Sequence, residues 1–173
     1  STGNDFTVAD PESVDKSVSE VKNVIDTAHK LGIKFLRIFA GFSPVKEVDE
    51  TRFKKLLSAL NEVADYAEKA GVTPVIETHG GVNGYSDGVE HFASVSTDLT
   101  TLKKIIAGVK DSVYLNFDPA NLSAVGVKDL VAYYKEIEPR VKYLHLKDFM
   151  RVGEHRILPT YLGNGITDYT DLL

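Results

Sequence analysis

No cysteine occurs in the 173 residues. Disulfides, thiolate metal sites and a cysteine nucleophile are thereby excluded, and any bound metal must take oxygen and imidazole ligands. The lack also fits a reducing compartment. No apolar run approaches the roughly 20 residues needed to span a bilayer, and no basic segment followed by an apolar core opens the chain as a signal peptide would. A cytoplasmic location is the expectation, with no membrane partner. There is no basic excess either: the formal charge is −5, which argues against a broad nucleic-acid surface. Gly163-Asn164-Gly165 is too short for a dinucleotide motif, and no glycine-rich strand-to-helix loop suggests nucleotide binding. Methionine is confined to Met150 and the chain opens on Ser1, as in a processed product or an excised segment.

What remains is a globular composition, 43% hydrophobic and 26% charged, sufficient for one sizeable core over residues 1–173. Four apolar runs break into polar residues at their carboxyl ends: Lys34 to Phe39, Val75 to His79, Tyr114 to Asp118, and Lys142 to Lys147. Side chains alternate along a strand. Arg37, Glu77 with His79, Asn116 with Asp118, and His145 with Lys147 therefore each project to one face of their own strand.

Helical signals separate these runs. Asp10-Pro11 opens a helix as cap and first residue, and Val14, Val18, Val21, Ile25, Ala28 and Leu31 follow at helical spacing before Gly32. Asp49 opens a second, with Phe53, Leu56, Leu57, Leu60, Val63, Ala64 and Ala67 as its stripe and Gly71 as its stop. Asp98 or Thr97 caps a third, and a fourth is expected from Val127 to Glu138, stopped by Pro139. Phe149 to Gly165 reads as loop, and Asp168 to Leu173 as the start of a helix. No hairpin signal is read between the strands. Helix–strand alternation of this kind means βα units and a parallel sheet, with all strand carboxyl ends on one rim. Ligands of such sheets bind at that rim. A glutamate, an aspartate and a histidine gathered there suit a divalent ion.

The runs ending Arg37-Ile38-Phe39-Ala40-Gly41, Glu77-Thr78-His79, Asn116-Phe117-Asp118-Pro119-Ala120-Asn121, His145-Leu146-Lys147-Asp148 and Leu162-Gly163-Asn164-Gly165 together resemble the xylose isomerase-like TIM-barrel superfamily of sugar phosphate isomerases and epimerases. The resemblance implies an α/β fold in which the four strands are barrel strands three to six. It implies one divalent ion (Mn²⁺, Mg²⁺ or Co²⁺, with Zn²⁺ an alternative) held by Glu77, Asp118 and His145. The family's fourth ligand, a glutamate on strand eight, has no counterpart here. A closed barrel takes about 250 residues, so the chain reads as a partial barrel with two open sheet edges that favour self-association. Little activity, and no stable, competent monomer, is expected from it alone.

Each residue also has a plainer reading. Glu77 could pair with a lysine, Asp118 could cap the turn at Pro119, and His145, between Leu144 and Leu146 on a strand expected to be buried, could be a core histidine. Arg37 could bind substrate oxygens through its planar fork or bridge to Glu77 or Asp118. Lys147 resembles a substrate-side cation, which Asp148 would orient. His79 could line the pocket or bond loop backbone. Asn121 stands where endonuclease IV-type relatives carry a histidine, which disfavours a phosphodiesterase. His155 could reach substrate from the loop after the fourth strand. His29 and His91 receive no role.

The function so implied is metal-assisted proton transfer on a sugar or sugar phosphate through an enediolate, with Glu77 as base. A polyol dehydratase using the same metal and base is an alternative. So is a non-catalytic, self-associating α/β module.

Overall fold

The computed structural model describes residues 2–172. Its first helix, α1 (Pro11–Lys30), starts where Asp10 accepts from the N–H groups of Glu12 and Ser13, satisfying donors that the first turn leaves free. Val14, Val18, Val21, Ile25 and Ala28 are buried as the spacing predicts. Leu31 is not: it is the C-cap and is 69% exposed, because the chain turns away at Gly32 before another helical turn can form. Helix α2 (Glu50–Ala70) is capped by Asp49 and ends at Gly71 with φ 65°, the left-handed conformation that glycine adopts without steric cost. The two helices pack together, with Lys22 paired to Glu62 at 2.7 Å and the Tyr66 hydroxyl donating to Asp26 at 2.8 Å.

Strands β1 (Phe35–Ile38), β2 (Thr73–Glu77), β5 (Tyr114–Phe117) and β6 (Val141–Leu144) form a parallel sheet in the order β1-β2-β5-β6. Leu36, Ile38, Ile76, Leu115 and Phe117 join the core with α1, α2 and the later helices. The alternate residues line the opposite, concave face. There a cavity of about 510 Å³ runs from Ile33 and Phe35 to Arg37, Val75, Asn116, Tyr143 and His145. Strand β6 is an edge rather than the buried strand expected. Tyr143 is 52% and Leu144 47% exposed, because β5 is its single pairing partner in the sheet.

Helix α3 (Leu99–Gly108) is capped by Asp98, whose side chain accepts from the Thr101 N–H. The expected fourth helix is two. Helix α4 (Pro119–Ala124) begins directly on Asp118, and α5 (Leu130–Ile137) is capped by Asp129. Val127 lies in the intervening turn, where Gly126 takes φ 94°. At the carboxyl end, residues 168–172 form a turn closed by Leu172 N–H to the Tyr169 carbonyl. Leu173 lies outside the described residues.

The largest departure from the sequence reading is a second sheet. Strands β3 (Gly81–Tyr85) and β4 (Gly88–Phe92) make a hairpin after β2, and β7 (Asp148–Arg151) and β8 (Ile157–Thr160) make another after β6; all four are antiparallel, in the order β3-β4-β8-β7. The sequence reading finds no hairpin signal for the first pair, and the second falls in the segment that reads as loop. The turn of the first hairpin is Ser86-Asp87, between Tyr85 and its partner Gly88, and Gly88, with φ 150°, is the signal that was missed. Gly81 lets the first hairpin leave the rim closely packed, since a Cβ there would lie 2.1 Å from the Phe92 ring and 2.4 Å from the Phe42 carbonyl.

Buried Asp148 ties the following segment down. It accepts from the N–H groups of Phe149 (2.9 Å), Gly163 (3.1 Å), Gly165 (2.9 Å) and Thr167 (3.2 Å). Asp148→Asn would turn an amide donor towards donors, at a cost of about 1–3 kcal/mol. Faster hydrogen exchange confined to residues 163–167, with the β2 and β5 amides unchanged, is the expected result.

Candidate metal centre

Three strand ends converge as their parallel order requires. Glu77 closes β2, Asp118 follows β5 as the cap of α4, and His145 follows β6. One possible ligand atom from each lies within 4.8 Å of the others. Both carboxylates are fully buried, while the His145 side chain is 38% exposed. Asp118 is fixed from several sides: the Thr78 hydroxyl accepts from its N–H at 2.8 Å, and its own Oδ1 accepts from the Asn121 N–H at 2.9 Å. Capping a turn and facing the cluster are therefore simultaneous roles, taken by different oxygens.

Positive charge surrounds the pair. Arg37 reaches Glu77 Oε2 at 2.8 Å, and Lys147 Nζ stands 3.0 Å from Asp118 Oδ2. His145 Nδ1 lies between the two acids, 2.8 Å from Glu77 Oε1 and 3.1 Å from Asp118 Oδ2. The hydrogen bond to Asp118 raises the His145 pKa above its ordinary value, against the opposing effect of burial, and Glu77 adds to the rise. For Asp118, burial alone would raise the carboxyl. The His145 hydrogen bond, the Lys147 charge and the Asn121 N–H outweigh it and hold Asp118 below the usual carboxylate range.

Glu77 Oε2 and Asp118 Oδ2 are buried oxygens whose neighbours are charged side chains: Arg37 at 2.8 Å for the first, Lys147 at 3.0 Å and His145 at 3.1 Å for the second. Two such oxygens beside an imidazole fit a divalent cation, and the oxygen-rich set suits a harder ion than structural zinc. His145, Lys147 and the Asn121 N–H are what hold Asp118 ionised without one.

The remaining candidates divide. Asn121 is wholly buried; its Nδ2 donates to the Thr78 carbonyl at 3.0 Å and reaches Glu77 Oε1 at 3.4 Å. His79 has its N–H bonded to Ser96 and its Nδ1 against the Gly80 carbonyl at 2.5 Å, and both serine hydroxyls of Ser94 and Ser96 hold its carbonyl. Burial pushes the His79 pKa down, so the ring is neutral at pH 7. His155 is not brought to the rim. It lies between β7 and β8 with a 73% exposed side chain beside Glu154, carried outward by the hairpin.

The sequence reading missed a row of rings. Phe39 and Phe42 meet the edge of His79 at 5.3 and 5.5 Å; His79 neighbours His91 at 5.9 Å, and His91 neighbours Phe149 at 5.2 Å. Arg37 lies over Phe39 and Lys147 over Phe149. The two cations that hold the carboxylates thus terminate one continuous wall. His91 and Phe149 sit on β4 and β7, strands that no apolar alternation marks, which is why no sequence signal joined them.

Burial, with the charges of His79 and Lys147, lowers the His91 pKa from an ordinary 6.5 to about 4, against a small opposite effect of Asp118. A depressed histidine contributes stability above its unfolded value and loses it as pH falls through the folded one. Stability should accordingly drop between about pH 6.5 and 4. His91→Phe should flatten that part of the profile relative to the parent protein, as read by urea unfolding at a series of pH values.

Among the described residues no helix is long and apolar enough to cross a membrane. No curated protein sequence matches the chain significantly, but solved structures do. A probable 3-DHS dehydratase, AsbF, involved in petrobactin synthesis in Bacillus anthracis, superposes with TM-score 0.73 at 14% identity, over 91% of this chain and 58% of that one. The D-allulose 3-epimerase of Methylomonas sp. in complex with D-allulose gives 0.70 at 21%, over 98% and 54%. A xylose isomerase-like TIM barrel protein of Mycobacterium smegmatis in complex with magnesium gives 0.68 at 17%, over 96% and 58%. The chain therefore spans a little over half the length of these structures, and the likeness establishes a TIM-barrel type of fold. The family model for xylose isomerase-like TIM barrels matches residues 1–173, and the chain belongs to that family.

Proposed function

We propose that this chain is part of a divalent-metal-dependent isomerase or epimerase acting on a ketose, aldose or related polyol. The observation that carries the reading is the convergence of the fully buried carboxylates of Glu77 and Asp118 with His145, one possible ligand atom of each within 4.8 Å of the others. Glu77, Asp118 and His145 would hold the ion, which supplies Lewis-acid polarisation of adjacent sugar oxygens. Glu77 takes the proton between those oxygens, and Arg37, 2.8 Å away, holds its carboxylate in place. Lys147 stabilises negative charge that develops on the substrate. The ring wall from Phe39 to Phe149 covers the apolar face of a sugar and limits water. Relatives that bind D-allulose or magnesium support this reading. The open edges β1 and β6 further suggest self-association, and the composition a cytoplasmic setting.

One observation favours a dehydratase as the second reading. His79, neutral and two residues from Glu77, supplies another base on the same strand end, and elimination needs proton removal from one face only.

The test uses the chain with Mn²⁺ in D₂O and a panel of D-allulose, D-fructose and D-tagatose. Deuterium entering at the carbon beside the carbonyl supports proton transfer. Loss of water to an unsaturated product selects the dehydratase, and exchange that proceeds equally in Glu77→Gln, or no binding of Mn²⁺ or of any of the sugars, refutes both.

A further inference from the structure

The sequence reading places Asn121 at the substrate, yet the residue is wholly buried, with no surface left for one. Its backbone and its side chain serve different carboxylates. The N–H donates to Asp118 Oδ1 at 2.9 Å, whereas Nδ2 donates to the Thr78 carbonyl at 3.0 Å and reaches Glu77 Oε1 at 3.4 Å. This double reach follows from its place in the chain. Asn121 stands three residues after Asp118, the cap of α4, where a first-turn N–H meets the cap side chain. The start of α4 in turn lies against the end of β2, because the Thr78 hydroxyl accepts from the Asp118 N–H at 2.8 Å.

The amide has one workable orientation. Reversed, its oxygen would face the Thr78 carbonyl, acceptor against acceptor. In the orientation taken, Oδ1 is buried and has no partner among the described residues. Buried acceptors are ordinarily satisfied, and an apolar side chain of similar size would leave no such oxygen. The amide therefore serves through its donor. Of the Glu77 oxygens, the one it reaches is Oε1, which faces His145 Nδ1 at 2.8 Å inside the cluster; Oε2 is held by Arg37.

We propose that Asn121 is a positioning residue of the metal centre, which fixes Glu77 and Asp118 relative to each other by bonding one through its side chain and the other through its backbone. It touches neither the ion nor the substrate. The proposal rests on the metal reading given above and deepens it. Groups that hydrogen-bond a ligating carboxylate are worth about 10–100-fold in metal affinity.

The experiment measures Mn²⁺ affinity by water-proton relaxation for the parent chain, Asn121→Leu, Glu77→Gln and the two changes together, with circular dichroism to report folding. Leucine keeps the size and the backbone N–H and removes the donor. The expected result is an affinity about tenfold weaker in Asn121→Leu, and a further loss of less than about twofold when the same change is made in Glu77→Gln, since the group it orients is already altered. A tenfold loss in both backgrounds would mean that Asn121 acts through packing alone and overturns the proposal. So does undiminished affinity in a folded Asn121→Leu. If leucine prevents folding, Asn121→Ala removes the same donor without added bulk and takes its place in the cycle. If Glu77→Gln binds too weakly to titrate, Tyr133→Phe decides: it removes a buried hydrogen bond to the Ser96 carbonyl, and an equal loss of Mn²⁺ affinity there overturns the proposal, while parent affinity supports it. A parent chain that binds no Mn²⁺ overturns the metal reading itself, and this proposal with it.

Discussion

Combining Glu77→Gln with His145→Ala should weaken Mn²⁺ binding by at least roughly 100-fold, since even supporting groups around a metal are worth 10–100-fold. Two of three candidate ligands are changed, and the remaining one, Asp118, is left beside Lys147 at 3.0 Å. Binding to the unaltered chain should weaken as pH falls, because metal and protons compete for the same carboxylates and imidazole. His145 sharpens the competition. Its raised pKa means that the ring carries a proton between the acids up to a higher pH than a free histidine would. Lys147→Met should act in the opposite sense and tighten Mn²⁺ about tenfold, by removing a like charge from the centre. Titration of Mn²⁺ followed by water-proton relaxation reads all of these. Undiminished binding by the double variant would end the assignment of the site.

Arg37→Leu is the second substitution with a large expected effect. Glu77 is fully buried, and the guanidinium lies 2.8 Å from its Oε2, on the side away from the His145 contact with Oε1. Removing one partner of a buried pair costs about 3–5 kcal/mol, because the other charge stays desolvated. That is a large share of the 5–15 kcal/mol typical of a folded chain, and corresponds to a Tm lowered by roughly 10 °C at this size. The loss should be greatest without metal and smaller in saturating Mn²⁺, which would neutralise the same acid. Adding Glu77→Gln should restore most of the stability, since the uncompensated charge is then gone. A fall below about 1 kcal/mol in metal-free urea unfolding, with no rescue by the second change, would show that Arg37 does not sustain Glu77.

The parallel sheet was legible because two strong periodicities agreed. Val14 to Ala28 and Leu56 to Ala67 recur at helical spacing, capped by Asp10 and Asp49, and the strands between them alternate. The triad was legible for the same reason: parallel order brings strand ends together whatever the intervening loops do. The antiparallel sheet was not. In Gly81–Tyr85 and Gly88–Phe92 the residues are mostly half-buried or exposed, so no apolar alternation marks them, and the register depends on the Ser86-Asp87 turn and on contacts with Ile157 far along the chain. The same cause hid His91 and Phe149. Leu31 and Val127 were misplaced for a different reason. At a helix end one apolar residue more or less fits the period equally well, and the backbone at Gly32 and Gly126 decides.

The Phe35 and Tyr143 rings stand 6.2 Å apart, centre to centre, although they belong to the first and last strands of the parallel sheet. Laid flat, those strands would be about 14 Å apart at the usual spacing. The sheet is thus already rolled, and the two aromatic side chains bridge its mouth like a strut across a gutter. Its radius is an internal property, set by residues on this chain. Whatever pairs with β1 and β6 meets edges whose direction is decided beforehand, so fit is a question of matching a given arc. Shortening the strut, as in Tyr143→Ala, would let the gutter spread and would loosen that tolerance without altering a single backbone hydrogen bond of the edge.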